Sequence, residues 1–199
     1  YNGQEHLLET FFDLTDRKKM EQDLKLAHAE LDQIFQTASV GMRVVDLDYN
    51  VVKINKTFAV MTNVTEKDAE QKKCYEIFSG PMCQTAGCPV SRVVAGESSF
   101  ETYVDKKRPD GGVIPCILTA TPFSGPDGRI VGIVESFRDI TQLKAAQEII
   151  VSERDKLDSI LSNLLEGVSI INLNHEIEFQ NIAHKKFIGE KEGTLCYSA

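Results

Sequence analysis

The sequence of 199 residues has no tryptophan, no long apolar run and no excess of basic residues. No stretch approaches the ~20 consecutive apolar residues that a membrane-spanning helix needs, and nothing is typical of a secretory signal peptide. Because the net charge is −8, we expect neither a nucleic acid nor an anionic membrane surface as a partner. The first residue is Tyr1 and not an initiator Met, so we expect a piece of a longer protein.

Enzyme signatures are also missing. The sequence contains no phosphate-binding loop, no dinucleotide-binding glycine pattern and no Gly-x-Ser-x-Gly motif. We therefore expect no catalytic activity in this chain, although the parent protein can carry an enzyme. Without secretion signals, the five cysteines indicate a reducing compartment with free or metal-bound thiols, and we expect the cytoplasm.

A repeat with a constant spacing of 126 residues organises the chain. The segment Glu9–Thr15 reappears as Glu135–Thr141, and Leu31–Ile34 reappears as Leu157–Ile160. Gly41 matches Gly167, Leu47 matches Leu173, Asn55 matches Asn181 and, after a four-residue contraction, Cys74 matches Cys196. A unit of ~110 residues can bury its own core, so the pattern indicates a repeat of domains.

The repeat predicts five segments. One complete domain covers residues 39–141. Residues 1–15 are the tail of a preceding unit, and residues 166–199 are the N-terminal part of a following one. Residues 16–38 and 142–165 are predicted to form linker helices.

The linker segments carry apolar residues at helical spacing. The second linker has Leu143, Ile150, Leu157 and Leu164 seven residues apart. Heptad spacing favours a helix that packs lengthwise on a partner helix, so we predict a homodimer through long amphipathic linker helices. Because the position near Glu153 is polar, the seam is imperfect, and a helix packed on its own domain is the alternative.

Within the complete domain, two strands precede short helices and three strands follow them. The strands are predicted at Met42–Val45, Val51–Ile54, Ser99–Lys106, Val113–Phe123 and Ile130–Arg138. Asp-Gly turns at residues 109–112 and 125–128 are typical of hairpins between the last three. This order predicts an α+β fold with an antiparallel sheet.

The domain resembles the PAS family. The residues that carry the resemblance are Asn55 after the second strand, the turn Pro109–Gly111, the stretch Gly128–Gly132 and the ending Asp139–Thr141. The resemblance implies a five-stranded antiparallel sheet with short helices on one face. It also implies a sensor of a small ligand or redox state, in series with neighbouring PAS and output domains such as a histidine kinase. A purely structural dimerisation spacer is the alternative.

The Asp-x-Thr ending occurs twice, each time where a strand is predicted to lead into a helix. Asp139 and Thr141 form one copy, and Asp13 and Thr15 form the other. Such side chains can accept hydrogen bonds from the first free amides of a helix. We predict that these four residues relay a signal from the sheet to the helix, and a simple helix cap is the alternative.

Four cysteines crowd one stretch: Cys74, Cys83, Cys88 and Cys116. Four thiolates suit zinc or an iron–sulfur cluster, and a subset of PAS domains carries a similar cysteine-rich segment that ends in Cys-Pro. We therefore predict a metal site from these residues, although no C-x2-C pair is present. In the alternatives, Cys83 and Cys88 pair as a redox-active disulfide, or the cysteines are inert.

Two cofactors common in the family are disfavoured. The four histidines, His6, His28, His175 and His184, all lie outside residues 31–141, which argues against a histidine-ligated haem in the complete domain. Cys74 lies near the position of the reactive cysteine in light-sensing members, but Lys73 and Tyr75–Phe78 differ from the neighbours found there, which argues against a photoactive flavin. A small organic ligand between helices and sheet stays open.

Overall fold

The computed structural model describes residues 15–70 and 72–197. The helices are α1 Thr15–Thr37, α2 Lys56–Thr62, α3 Glu66–Ala69, α4 Cys74–Ile77, α5 Pro89–Val94, α6 Thr141–Asn163 and α7 Ile182–Ile188. The strands are β1 Gly41–Asp46, β2 Val51–Ile54, β3 Phe100–Lys107, β4 Val113–Ser124, β5 Ile130–Asp139, β6 Ser169–Ile171 and β7 Ile177–Gln180. The chain divides into two compact units, a first that ends at Ile140 and a second that begins at Thr141.

The first unit contains a five-stranded antiparallel sheet in the order β2-β1-β5-β4-β3. The predicted α+β class and the predicted sheet are confirmed. Both Asp-Gly turns join neighbouring strands, and Gly111 and Gly128 adopt φ angles of 89° and 77°, which favour glycine. The observed strands begin and end within one residue of the predicted positions, and β2 has the predicted bounds.

The short helices α2, α3 and α5 pack against the strands and enclose the core of the first unit. Phe58, Phe78 and Phe137 meet at its centre, with ring centroids 5.2–5.7 Å apart. All three side chains are fully buried. Aromatic rings at these separations add packing energy beyond the area that they bury.

The second unit consists of α6, the hairpin β6–β7 and α7. Three of its elements, α6, β7 and α7, have the bounds of α1, β2 and α2 shifted by 126 residues. The hairpin has an irregularity between Ile170 and Ile171, at the place where β1–β2 has one between Val44 and Val45. The 126-residue register therefore extends from the sequence to the backbone.

Helices α1 and α6 are each 23 residues long and bury none of their side chains. Their position as linkers between domains, and their pairing in a dimer, stay predictions. Among the described residues, no helix combines the length and the apolar character that crossing a membrane requires.

Candidate functional site

Three charged side chains lie buried in the core of the first unit. Arg43 on β1 and Glu135 on β5 are 1% and 2% exposed, and Arg43 Nε donates a hydrogen bond to Glu135 Oε2 at 2.5 Å. Lys106 on β3 is 3% exposed. We call these three residues the buried charge cluster. Ionised groups in a protein interior are costly unless they are paired, so the cluster is the most unusual feature of this core.

Strand alternation places the cluster. Side chains two residues apart share a face of a sheet, and Arg43 shares the inward face of β1 with the buried Val45. Lys106 follows the buried Val104 in the same way, and Glu135 lies between the buried Ile133 and Phe137. None of these three residues was predicted as a site residue from the sequence. The sequence did contain a signal for them, because each charged residue lies two positions from an apolar residue that faces the core on the same strand.

Arg43 is held by several groups at once. Its Nη1 donates to the backbone carbonyl of Cys74 at 2.7 Å, and its guanidinium lies 5.6 Å and 5.1 Å from the ring centroids of Phe58 and Phe137. Burial is the largest influence and lowers the pKa of Arg43, but Glu135 together with the neighbouring Cys74 and Cys83 raises it by more, so the net pKa is raised. Arg43 therefore stays charged and pins β1 to β5 and to α4.

Among the described residues, no carboxylate forms an ion pair with Lys106. Its Nζ lies 5.5 Å and 5.6 Å from the ring centroids of Phe78 and Phe137, and 3.9 Å from Cys83 Sγ. Burial, and then the neighbouring Arg43, lower its pKa. One buried carboxylate thus faces two cationic side chains.

The side chains of the cluster and of the aromatic core fill the space between the helices and the sheet. Phe58, Phe78 and Phe137 surround the charged groups within the distances given above. A small organic ligand in this space would have to displace some of these side chains. The interior of the first unit is therefore a core in which charged and aromatic side chains pack together, and a small organic ligand there stays a prediction.

The four predicted metal ligands lie on different elements. Cys74 starts α4, Cys88 precedes α5, Cys116 lies in β4, and Cys83 lies between α4 and α5. In the described part of the chain, no three His, Cys, Asp or Glu side chains are grouped so that they could hold a metal ion. The arrangement does not fit a four-cysteine centre, and the metal site stays a prediction.

The cysteines differ in their surroundings. Cys74, Cys88 and Cys116 are at most 5% exposed, whereas Cys83 is half-buried. Burial raises the pKa of Cys74 to about 11 and that of Cys116 to about 12, so both thiols stay protonated at neutral pH. Cys116 lies on the inward face of β4 together with the buried Leu118 and Ala120.

The predicted relay residues lie at the ends of elements. Asp139 is the last residue of β5, Thr141 is the first of α6, and Thr15 is the first of α1. Asp13 lies outside the described residues. Ile140, between β5 and α6, is buried and donates its N–H to the carbonyl of Pro115. The relay role stays a prediction.

The described histidines, His28, His175 and His184, lie outside the five-stranded sheet and its short helices. His184 is half-buried, and its Nδ1 lies 3.0 Å from Nε2 of the buried Gln180. The backbone at Gly167 also approaches it closely, since a Cβ atom there would lie 3.2 Å from His184 Cα.

Comparison with known proteins identifies the fold. The family model described as "PAS fold" matches residues 35–145. The PAS domain of an HTR-like protein from Haloarcula marismortui is similar at 18% identity with a TM-score of 0.52, over 62% of this chain and 99% of that one. A light-oxygen-voltage protein from Rhodobacter sphaeroides is similar at 16% identity and a TM-score of 0.50, over 65% and 76% of the two chains.

An RNA-binding light-oxygen-voltage receptor is similar at 18% identity with a TM-score of 0.53, over 65% of this chain but 38% of that one. None of the curated proteins matches the sequence. At these identities the solved structures establish the fold alone. The family match covers more than half of the sequence and all five strands of the sheet. The chain belongs to the PAS fold family.

Proposed function

We propose that this chain is the sensor and relay part of a larger cytoplasmic signalling protein. The first unit reads a stimulus through its buried charge cluster, and α6 carries the response toward an output domain. The observation that supports this proposal is the buried cluster itself, in which two cationic side chains, Arg43 and Lys106, are buried with one carboxylate, that of Glu135, which pairs with Arg43.

The energetics favour a functional reason for the cluster. Each buried ion costs several kcal/mol, and replacing a buried ion pair by apolar side chains is often neutral or stabilising by about 1–4 kcal/mol. The β1 backbone does not require the charge of Arg43, because Ser169 takes its place in the second unit. A core that would be at least as stable without charges can serve as a switch, because a small change in charge alters its packing.

The route from the cluster to α6 is short. Glu135 lies in β5, and the same strand runs through Asp139 and Ile140 directly into Thr141. A change in the Arg43–Glu135 pair would shift β5, and the first turn of α6 would move with it. Asp139 and Thr141 are the residues we propose to transmit this movement, with Asp13 and Thr15 as their counterparts 126 residues earlier in the sequence.

The wider context belongs to the same proposal. We infer that the parent is a multidomain protein, with a histidine kinase as the output, and that α1 and α6 pair in a homodimer. The second unit would be the start of another PAS domain, because it shares the 126-residue register and the bounds of α2 and β2. The parent, and not this chain, would supply catalysis.

The relay can be tested by hydrogen exchange in α6. The pair Arg43→Met with Glu135→Leu removes the buried ion pair but keeps apolar volume, so the first unit is expected to stay folded. The proposal predicts altered exchange in the first turns of α6. The control is Glu21→Gln with Lys25→Gln, which removes an exposed ion pair of α1. Unchanged exchange in α6 for both pairs would support the structural spacer instead.

The metal alternative requires a different measurement. Anaerobic purification followed by absorption spectroscopy and metal analysis would detect zinc or an iron–sulfur cluster. Stoichiometric metal that is lost when Cys74, Cys83, Cys88 and Cys116 are changed to Ser would establish that alternative. A colourless, metal-free protein would remove it and leave the charge cluster as the sensing element.

A further inference from the structure

Cys83 differs from every other cysteine of the first unit in what surrounds its sulfur. Two donors converge on Cys83 Sγ: the backbone N–H of Gly80 at 3.2 Å and Nζ of Lys106 at 3.9 Å. The side chain is also half-buried, so that solvent reaches this part of the core. Donors around a sulfur atom favour forms of that sulfur that carry negative charge.

The other thiols of this unit have the opposite environment. Cys116 Sγ donates to the carbonyl of Ile114 at 3.5 Å and is fully buried. Cys74 is 5% exposed and Cys88 is 3% exposed. Burial keeps the pKa values of Cys74 and Cys116 well above their usual range, so these thiols are closed to solvent and protonated. Among the described thiols of the first unit, Cys83 is the one that the structure leaves accessible.

Lys106 supplies the second observation. Its ammonium is almost fully buried, and within the described part of the chain Cys83 Sγ is its one hydrogen-bond partner. The carboxylate of Glu135 is already engaged by Arg43 at 2.5 Å. The ammonium of Lys106 therefore faces the sulfur of Cys83 and two aromatic rings, and no carboxylate of its own within the described residues, which is an incomplete arrangement for a buried charge.

We propose that Cys83 is a peroxide-oxidised thiol whose sulfenate is held by Lys106 Nζ and the Gly80 N–H. This inference rests on the proposed sensor function and names its stimulus. In the reaction, Cys83–SH and hydrogen peroxide give Cys83–SO⁻, a proton and water. The O–O bond breaks and an S–O bond forms, the sulfur loses two electrons to the peroxide, and the thiol proton is released to solvent.

Oxidation would complete the charge pairing of the core. In the reduced state the cluster has two cationic side chains and one carboxylate. A sulfenate on Cys83 adds the missing anion, so that Lys106 gains a charged partner while Arg43 keeps Glu135. The segment between α4 and α5 would then be tied more strongly to β3, and the buried charges would be redistributed next to β5.

The test uses the reduced chain, hydrogen peroxide as oxidant and dimedone as a probe that labels sulfenic acids, with peptide mass spectrometry as the readout. Cys83 should be labelled before the other four cysteines. Lys106→Met removes the ammonium, and because a charge-assisted hydrogen bond contributes about 1.5–3 kcal/mol, the labelled fraction should fall about tenfold or more. The matched control is Lys107→Met, which removes the exposed lysine next along β3.

Several outcomes would overturn the proposal. A mass loss of two hydrogens without a dimedone adduct would show a Cys83–Cys88 disulfide in its place. Labelling of Cys196 first, or equal labelling in the Lys106→Met and Lys107→Met variants, would remove the role of Lys106. If Lys106→Met does not fold, Lys106→Gln takes its place, and mild oxidation should raise the thermal midpoint of the wild type but not of the Lys106 variant.

This result is separable from the relay. Sulfenate on Cys83 without a change in α6 exchange would keep the oxidation site and contradict the relay. A change in α6 exchange in the Arg43–Glu135 variant, with an unreactive Cys83, would keep the relay and exclude peroxide as the stimulus.

Discussion

Each unit contains one asparagine, Asn55 or Asn181, that makes the same four hydrogen bonds within its own unit. Asn55 Oδ1 accepts from the N–H groups of Met42 and Phe58, both at 2.8 Å, and Nδ2 donates to the carbonyls of Phe35 and Val40. Each bond has a counterpart in the second unit. The amide of Asn181 bonds Val168, His184, Leu161 and Glu166, which are the same positions shifted by 126.

The close approach of strand and helix is also shared. A Cβ atom on Gly41 would lie 3.2 Å from Phe58 Cα, and one on Gly167 would lie 3.2 Å from His184 Cα. Such contacts are tight. The absence of a side chain at Gly41 and Gly167 therefore lets α2 and α7, the helices that follow the two asparagines, come close to the backbone there. The helix start therefore depends on one amide side chain and one missing Cβ, and both are present in each unit.

The side chains beneath that junction are different. In the first unit Arg43, Ile54 and Phe58 belong to the charged and aromatic core. The same positions in the second unit are Ser169, Gln180 and His184. Gln180 is buried, and it hydrogen-bonds His184 and the backbone of Gly189 and Lys191.

This difference distinguishes the features that the fold requires from the core side chains that are particular to one unit. The four hydrogen bonds of Asn55 or Asn181, which we call the asparagine bracket, occur in both units together with the close glycine contact. We therefore attribute both features to what this backbone requires. Arg43 does not recur, because Ser169 takes its place, so the buried guanidinium is specific to the first unit. This difference supports the proposed sensing role of the cluster.

The largest effect is expected when the buried pair is broken. Glu135→Ala leaves Arg43 and Lys106 without a carboxylate and should destabilise the first unit by about 3–5 kcal/mol. Ser169→Ala, at the position of Arg43 in the second unit, should stay within about 0.5 kcal/mol, as should the exposed Glu101→Ala. Urea unfolding with hydrogen exchange of β5 measures this. A loss below 1 kcal/mol for Glu135→Ala would show that the cluster contributes little, and the comparison would lose its main contrast.

The asparagine brackets should respond alike. Asn55→Ala and Asn181→Ala each remove a helix cap and leave buried backbone groups unpaired, so each should cost its own unit about 2–3 kcal/mol. Hydrogen exchange should increase in α2 for the first variant and in α7 for the second. Asn→Asp at each position keeps the cap oxygen but removes the Nδ2 donors, which separates the two contributions. Deprotection of α2 without a matching effect on α7 would contradict the equivalence of the two brackets.

Much of this fold was predictable from the sequence because its signals are local. Val51–Ile54 and the Asp-Gly turns at residues 109–112 and 125–128 were predicted where they occur, since apolar runs and turn residues act over a few positions. The repeat predicted the equivalence of Cys74 and Cys196, and the N–H groups of both donate to the residue that occupies the same turn position, Tyr49 and His175, at 2.8 Å.

The candidate site was not predictable in the same way. Glu135 lies 92 residues from Arg43, and only the folded sheet brings the two strands side by side. Strand parity could have placed Arg43, Lys106 and Glu135 on inward faces, but not against one another. The cysteines attracted attention by their number, yet the structure distributes them over four places, and Cys83 gains its interest from a lysine that the spacing does not reveal.

An intermediate effect is expected at alkaline pH. Burial raises the pKa of Cys116 to about 12 from a usual value of 9.0, so between these values the folded state holds a proton that the unfolded state has lost. This contribution is fully present below pH 9 and falls by about 1.4 kcal/mol per pH unit as the pH rises. Cys116→Ala should flatten the fall in stability of the first unit between pH 9 and 11 by about that slope.

The second unit provides the control for this experiment. Cys196→Ala lies outside the first unit and should leave the slope measured for β4 and β5 unchanged. Lys106 has a lowered pKa and acts in the opposite direction, but it is present in the wild type and in both variants, so its contribution cancels. Equal slopes for the wild type and Cys116→Ala would show that Cys116 ionises normally and is not sealed in the core.

The smallest effect on folding is expected on the long helices, where the two halves of the repeat can be compared directly. Leu31 on α1 and Leu157 on α6 are equivalent, and they are 68% and 58% exposed. Glu at either position should change the unfolding free energy by less than about 0.5 kcal/mol.

The effect of the two substitutions on association should differ, because α6 keeps apolar residues seven apart more strictly than α1. Leu157→Glu should therefore weaken the proposed dimer about tenfold or more in sedimentation, a cost of about 1.4 kcal/mol. Leu31→Glu should weaken it less, and Lys156→Gln, one residue away from the seam, should not. A wild-type chain that stays monomeric at micromolar concentration would contradict the dimer, and equal effects of the two Leu→Glu changes would mean that both helices share the contact.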